Sequence, residues 1–345
     1  MARSTGDVIM GLDMAHGGHI SHGYQSSRRK ISQVARQFTS SPYFLDSQTG
    51  LIDYDSLAKA AVRLRPKLII AGSSAYTRNI DYARMRRIAD EVGAYLHADF
   101  SQIAGLVAAG VMPSPSPIVD TAMATPDKTF RGPRGAMIWS RKHLSKKIDR
   151  TVFPGFQGSA NHRKIIAMAV MFHQARQLEM VESRRKICEG AKILSKSLHD
   201  LGYKILGGGT DSHMVVIDLR DETVDGAKVE KVLELAHISC NRNLIPGDRA
   251  GGSRQSGLRL GTSPMVTRGT HPWMFAEIAS LVHLGINIAR VWSQEAAKVA
   301  TQQGSDTPFG FGPFENYANA HIASPELKTL RRAAEVIAEA HPLPF

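Results

Sequence analysis

Short apolar runs alternating with helix-patterned stretches across residues 7–140 constrain this chain more than any other feature. The runs Val8 to Leu12, Leu68 to Gly72, Tyr95 to Asp99, Thr121 to Thr125 and Ala136 to Trp139 read as strands. Of these runs the first, Val8-Ile9-Met10-Gly11-Leu12, reads as a buried strand. Between two of them, Tyr82, Met85, Ile88 and Ala89 fall on one face of a helix. Strands alternating with helices predict an α/β layer around a mostly parallel sheet. Pro113-Ser114-Pro115-Ser116-Pro117 cannot continue a helix and marks a turn. The first strand begins at position 8, an unusual start, because a core strand needs neighbours on both sides.

A long apolar helix is expected from about Arg163 to Gln177, and the pattern then changes. A charged helix (183–201), a strand (Met214 to Leu219), an amphipathic helix (225–237) and long helices at about 271–300 and 325–340 predict a smaller α+β domain. Residues 301–320, with Gly304, Pro308, Gly310, Gly312 and Pro313, read as a loop. The division is therefore expected as residues 1–178 and 179–345.

An apolar share of 43% excludes disorder of the whole chain. Lys and Arg number 43 against 31 Asp and Glu, a net charge of +12. The excess is spread out, with short clusters at Arg28-Arg29-Lys30, Arg86-Arg87 and Arg184-Arg185-Lys186. No aromatics interleave with these clusters and no nucleic-acid motif is evident, so a solvated surface with some anion sites is the expectation, not a nucleic-acid partner. No run approaches 18 consecutive apolar residues, which argues against a membrane span. The first residues hold no signal-peptide core, and their single Arg argues against a transit peptide. Cys188 and Cys240 are too few for a disulfide framework and fit a reducing compartment, so the expected location is cytoplasmic.

Four residues invite a chemical reading. Asp99 ends a strand, where ligand sites of α/β sheets lie; it is either a helix N-cap or a carboxylate that holds a protonated ring nitrogen. Lys128 follows the strand at Thr121, and is either a surface charge or a Schiff-base former. His19 sits in His16-Gly17-Gly18-His19-Ile20-Ser21-His22-Gly23; three His in seven residues suggest a metal, but no Cys stands within this segment and flexible glycines separate the histidines, and no metal is expected. Arg259, between Leu258 and Leu260, is costly to bury unless an anion pairs with it, which makes it a candidate carboxylate or phosphate clamp. Asp99, Lys128 29 residues later and a distant Arg in an α/β chain form the pattern of pyridoxal-phosphate enzymes of fold type I, where Lys carries the cofactor, Asp keeps its ring nitrogen protonated and Arg takes the substrate carboxylate.

The longer stretches resemble the serine hydroxymethyltransferase family over roughly residues 7–290. They include Ile9-Met10-Gly11-Leu12-Asp13 with Gly17 to Gly23, Lys67 to Tyr76, Ile88-Ala89-Asp90 through Gly105 to Gly110, Lys128 to Gly135, Val152-Phe153-Pro154-Gly155, Gly208 to His213, Asn241-Arg242-Asn243 with Pro246, and Gly257 to Thr262. The resemblance implies a fold-type-I large domain, a C-terminal α+β small domain and a homodimer, or a heterodimer with a full-length relative. It implies interconversion of serine and glycine, with pyridoxal phosphate as cofactor and tetrahydrofolate as one-carbon carrier. By it, Lys128 is the Schiff-base lysine, Asp99 the partner of the ring nitrogen and His19 the residue stacked on the ring. Ser74 bonds near cofactor and substrate, and Thr125 assists beside the lysine. Arg259 binds the substrate carboxylate, Asn243 lies where folate binds, and the Gly158 loop reaches the partner subunit's phosphate.

This chain departs from the family pattern in four places. The family's further N-terminal region, with a phosphate cradle, a catalytic Glu and Tyr residues, has no counterpart, so the large-domain sheet is expected to lack its first unit. Gln102 stands where the family has a His near the cofactor's phenolic oxygen; Gln donates a hydrogen bond but does not titrate. Pro126-Asp127 replace Thr-His before the lysine, and an Asp there favours the protonated amine. A second Gly of the partner loop is Ser159, which restricts backbone approach to a phosphate. A catalytically impaired paralogue, or a related pyridoxal-phosphate aldolase, completed by a full-length partner, stays open as the alternative.

Overall fold

The computed structural model describes residues 6–26, 28–220, 224–248 and 255–344. The chain divides into two compact units, Met1–Arg185 and Lys186–Phe345.

The first unit runs β1 (Val8–Met10), α1 (Gln33–Gln37), β2 (Thr39–Ser40), α2 (Tyr54–Leu64), β3 (Leu68–Gly72), α3 (Tyr82–Val92), β4 (Tyr95–Asp99), α4 (Ala104–Ala108), β5 (Thr121–Ala124), β6 (Met137–Ser140), α5 (Lys142–Arg150) and α6 (His162–Ala175). Helix α7 (Leu178–Asp200) contains the division. The sheet order is β2-β1-β3-β4-β5-β6, and all neighbours are parallel except β5 and β6. The expected mostly parallel sheet is therefore present, as α/β fold type I requires. Its central strands β3, β4 and β5 are largely buried, whereas the edge strands β2 and β6 are partly exposed; Met10, Ile69, Leu96 and Ala124 lie in one core with Leu57 of α2 and Met85 of α3. Local chemistry delimits the helices. Asp81 accepts from the Arg84 amide to start α3, and Gly93, at φ 68°, ends it in the left-handed region. The buried face of α3 is Tyr82, Met85, Ile88 and Ala89, as the spacing predicts.

Because β1, β3, β4 and β5 are parallel, their carboxyl ends share one edge of the sheet. The segments following Met10, Gly72, Asp99 and Ala124 therefore emerge side by side.

The second unit holds β7 (Lys204–Ile205), β8 (Met214–Asp218), α8 (Gly226–Leu235), β9 (Asn241–Asn243), β10 (Gly257–Gly261), α9 (Ser263–Thr267), α10 (Phe275–Gln302), α11 (Phe311–Ala320) and α12 (Pro325–Ala340). Its sheet, ordered β7-β8-β10-β9, is antiparallel. Helix α10 is long and apolar enough by composition to cross a membrane; here it packs with α8, α11 and α12, burying Phe275, Val282, Ile286 and Trp292. One expectation fails. Residues 301–320 are not all loop, because α11 occupies 311–320. Pro313 falls in its first turn, where a missing N–H costs nothing, and Phe314 and Ala318 are buried.

Candidate functional site

At the carboxyl edge of the first sheet, Asp99 is the last residue of β4 and only 6% exposed. Its Oδ1 accepts from the Ser101 amide at 3.1 Å and the Ser101 hydroxyl at 2.5 Å. Its Oδ2 accepts from His22 Nε2 at 2.9 Å. The N-cap alternative fails: α4 starts five residues on, with Ile103 at its cap and no side-chain capping bond. Burial pushes the Asp99 carboxyl up, but the hydrogen bonds from His22 and Ser101 and the electrostatic pull of His22 outweigh it and hold it at about 2. Asp99 is thus an ionised carboxylate in a buried place.

His22 arrives from the loop after β1, 77 residues away in sequence. Glycines let this loop lie close to the sheet. The Gly17 carbonyl accepts from the Ser74 and Ala75 amides at 2.8 and 3.0 Å, and Gly17 holds φ 96°. A side chain at Gly18 would run into the Leu12 carbonyl. The loop also carries His19, whose ring centroid is 5.5 Å from that of His22. Burial lowers the His19 pKa; His22 and Lys128 lower it further and Asp99 opposes them, so this imidazole is neutral at pH 7. Each His of the cluster has a separate partner. His16 Nδ1 accepts from the Leu45 amide, His19 Nδ1 from the Ser21 amide, and His22 bonds Asp99. Among the described residues no three His, Cys, Asp or Glu side chains gather as metal ligands.

Lys128 lies in the turn after β5. The turn is closed by hydrogen bonds from the Arg131 amide to the Lys128 carbonyl (2.9 Å) and from the Gly132 amide to the Pro126 carbonyl (2.7 Å). Lys128 is half-buried, and its amine has no hydrogen-bond or ion-pair partner among the described residues. Asp127 is exposed and forms no ion pair with it. Thr129 Oγ1 donates to the Gln102 carbonyl and accepts from the Gly105 amide, tying this turn to the segment after Asp99. The Thr125 amide donates to Ser101 Oγ at 3.2 Å, while the Thr125 hydroxyl is buried with no partner among the described residues.

The structure thus gathers Asp99, His19, Lys128, Thr125 and the backbone of Gln102 and Ser74 at one edge. It does not bring Gly158 among them: Gly158 lies in an exposed loop where a Cβ would touch nothing. In the second unit, Arg259 on β10 is half-buried and donates to Asn241 Oδ1 at 3.2 Å; burial lowers its pKa. Asn243 on β9 is paired with Gly257, and its amide donates to the Leu244 carbonyl at 2.6 Å. Sequence reasoning missed His22 and Ser101. His22 stood in the same histidine cluster, but nothing in the sequence pairs it with Asp99.

The family model described as serine hydroxymethyltransferase matches residues 3–282. A cytosolic serine hydroxymethyltransferase of Neurospora crassa is 46% identical over 310 residues, covering 86% of this chain and 64% of that protein. The cytosolic enzyme of Aspergillus fumigatus is 42% identical over 356 residues, covering 98% of this chain and 73% of that protein. The cytosolic enzyme of Candida albicans is 44% identical over 309 residues, covering 85% and 66%. The chain belongs to the serine hydroxymethyltransferase family, and it spans 64% of the length of the Neurospora relative.

Proposed function

We propose that this family member interconverts serine and glycine, with pyridoxal phosphate as cofactor and tetrahydrofolate as one-carbon carrier. One observation carries the reading. A buried ionised carboxylate, a lysine amine without a partner among the described residues and a neutral imidazole lie at one edge of a mostly parallel sheet. The residues fit the cofactor. Asp99 Oδ1 is filled by Ser101, whereas Oδ2 has one donor and keeps acceptor capacity for a protonated ring nitrogen. The buried Thr125 hydroxyl has a bond still to make, and a buried polar group without one is costly.

In this reading Lys128 holds the cofactor covalently, Asp99 keeps the ring nitrogen protonated and neutral His19 covers a ring face. Ser74, Thr125 and Gln102 supply hydrogen bonds around it. Arg259 orients the substrate carboxylate through its planar fork, and Asn243 faces folate. Bound pyridoxal phosphate supplies an electron sink for the pair left when the Cα–Cβ bond of serine breaks. Asp127 is exposed and forms no ion pair with Lys128 among the described residues.

A homodimer belongs to the same reading. Trp139 on β6, Phe153, Phe156, and Ile165, Ile166 and Val170 on α6 are all more than 40% exposed. An apolar surface of that kind fits a second copy of the chain, whose approach would bring Gly158 to a phosphate. A cytoplasmic location is supported by two free thiols, Cys188 and Cys240, and by relatives named cytosolic.

Absorbance with added pyridoxal phosphate tests the proposal. The wild-type chain is expected to develop a visible band that Lys128→Ala abolishes, and to cleave serine in a tetrahydrofolate-dependent way. No band in the wild type, or an equal band in Lys128→Ala, removes the cofactor role. A band without tetrahydrofolate-dependent turnover keeps the cofactor site and removes the transferase activity.

A further inference from the structure

Of the cluster Arg184-Arg185-Lys186, two neighbours behave differently. The Arg185 side chain is 63% exposed in a surface ion pair with Glu182. Arg184 is 2% exposed and has no carboxylate partner among the described residues. A guanidinium buried without a counter-ion is costly unless its N–H groups are filled. Here they reach backbone. One terminal nitrogen donates to the Thr129 carbonyl at 3.0 Å and the Phe130 carbonyl at 3.3 Å; the other donates to the Met180 carbonyl at 3.2 Å and its sulfur at 3.1 Å.

Those two carbonyls belong to the residues directly after Lys128. The same turn contains Arg131 at φ 61°, a left-handed conformation rare for a residue with a side chain. Such geometry persists only where the surroundings over-determine it. From the opposite side, Thr129 Oγ1 is tied to Gln102 and Gly105, and Gly105 leaves no room for a side chain against the Thr129 carbonyl. The turn is thus held between α4 and α7.

We infer that Arg184 is a positioning residue for Lys128: one terminal nitrogen bridges two successive carbonyls of the turn while the other is anchored on Met180 of α7, and this fixes the direction in which the lysine leaves the backbone. An ammonium has one nitrogen and could not span the turn carbonyls and the Met180 carbonyl together, as the two ends of the guanidinium fork do. The inference rests on the reading of Lys128 as the cofactor-bearing lysine.

The test uses Arg184→Lys, with stopped-flow absorbance on mixing with pyridoxal phosphate and hydrogen exchange of the cofactor-free protein. Arg184→Lys is expected to form the visible band about tenfold or more slowly at saturating cofactor, and to exchange the Arg131 and Gly132 amides faster, with the exchange of β4 unchanged. Wild-type band kinetics together with wild-type exchange overturn the proposal. So does a uniform rise in exchange across the unit, which marks a general stability role. Should Arg184→Lys fail to fold, the wild-type chain still decides. Arg131 and Gly132 amides among the slow exchangers of Met1–Arg185 support the clamp, and exchange at the rate of the exposed Gly158 loop overturns it. If the wild type gives no visible band, the cofactor reading fails, and the exchange data alone test the clamp.

Discussion

Replacing His22 with leucine probes the pair at the centre of the site. Leucine has similar bulk and no donor, so Asp99 stays buried and loses its 2.9 Å hydrogen bond on Oδ2. In the native chain burial raises the Asp99 carboxyl, and the bonds from His22 and Ser101 overcome this and hold it at about 2, against an ordinary 3.8. At about 1.4 kcal/mol per pH unit, that difference stabilises the folded chain by about 2 kcal/mol at neutral pH. That figure is the net of burial, His22 and Ser101; the variant removes the His22 bond alone, and a hydrogen bond to a charged group contributes about 1.5–3 kcal/mol. The sign follows from linkage. A depressed carboxyl contributes its full stability above its unfolded value and loses it as the pH falls through the folded value. The gap between wild type and His22→Leu should therefore be about 2 kcal/mol at pH 7 and should close as the pH falls from about 4 toward about 2. Urea unfolding at several pH values measures it. Trp139, whose ring lies 5.5 Å from that of Phe100 beside Asp99, is a local fluorescent reporter. Equal unfolding midpoints at pH 7, or a gap that does not change with pH, would refute the assignment of His22 as the partner that keeps Asp99 ionised.

Gly105→Ala drives a Cβ into the Thr129 carbonyl and should cost about 3 kcal/mol in urea unfolding. Gly158→Ala, where a Cβ meets nothing, should stay within about 0.5 kcal/mol. Thr125→Val removes a buried hydroxyl that has no partner among the described residues; the cofactor-free protein should melt no lower than wild type, while pyridoxal phosphate titration should show weaker binding. The double variant Phe156→Glu, Ile166→Glu charges two side chains that are 82% and 65% exposed; light scattering should show a monomer for the variant and a dimer for the wild type. Burial pushes the Cys188 and Cys240 thiols up to about 11 and about 12, so at pH 8 both should react with a thiol reagent far more slowly in the folded chain than in urea.

Much of this molecule was legible before any coordinates. The strands β3 and β4 run from Leu68 to Gly72 and from Tyr95 to Asp99, the bounds that their apolar runs predict. Helix α12 runs from Pro325 to Ala340, with Ser324 capping it and Pro325 at its first position, as the local sequence announces. These features depend on neighbours along the chain: hydrophobic period, caps and turn residues. So does the motif set that identifies the family, because each motif is contiguous. Where contiguity ended, the reading failed. Helix α11 hides in a Gly- and Pro-rich stretch, because its stability comes from burying Phe314 and Ala318 and not from propensity. By contrast, the long helix expected at about 271–300 is α10, Phe275–Gln302, whose apolar length packs against α8, α11 and α12.

The site divides along the same line. Sequence alone determined which residue types stand at the ends of which strands, and hence that Asp99 and Lys128 share an edge with His19. Only the tertiary structure decided what each of them meets there. It paired Asp99 with His22 across 77 residues, left Asp127 exposed with no ion pair to Lys128 among the described residues, and separated buried Arg184 from exposed Arg185. The physical reason is range. Strand and helix patterns are set by interactions over a few residues, whereas the charge state of a carboxylate and the reach of an amine are set by whatever the fold packs within a few ångströms.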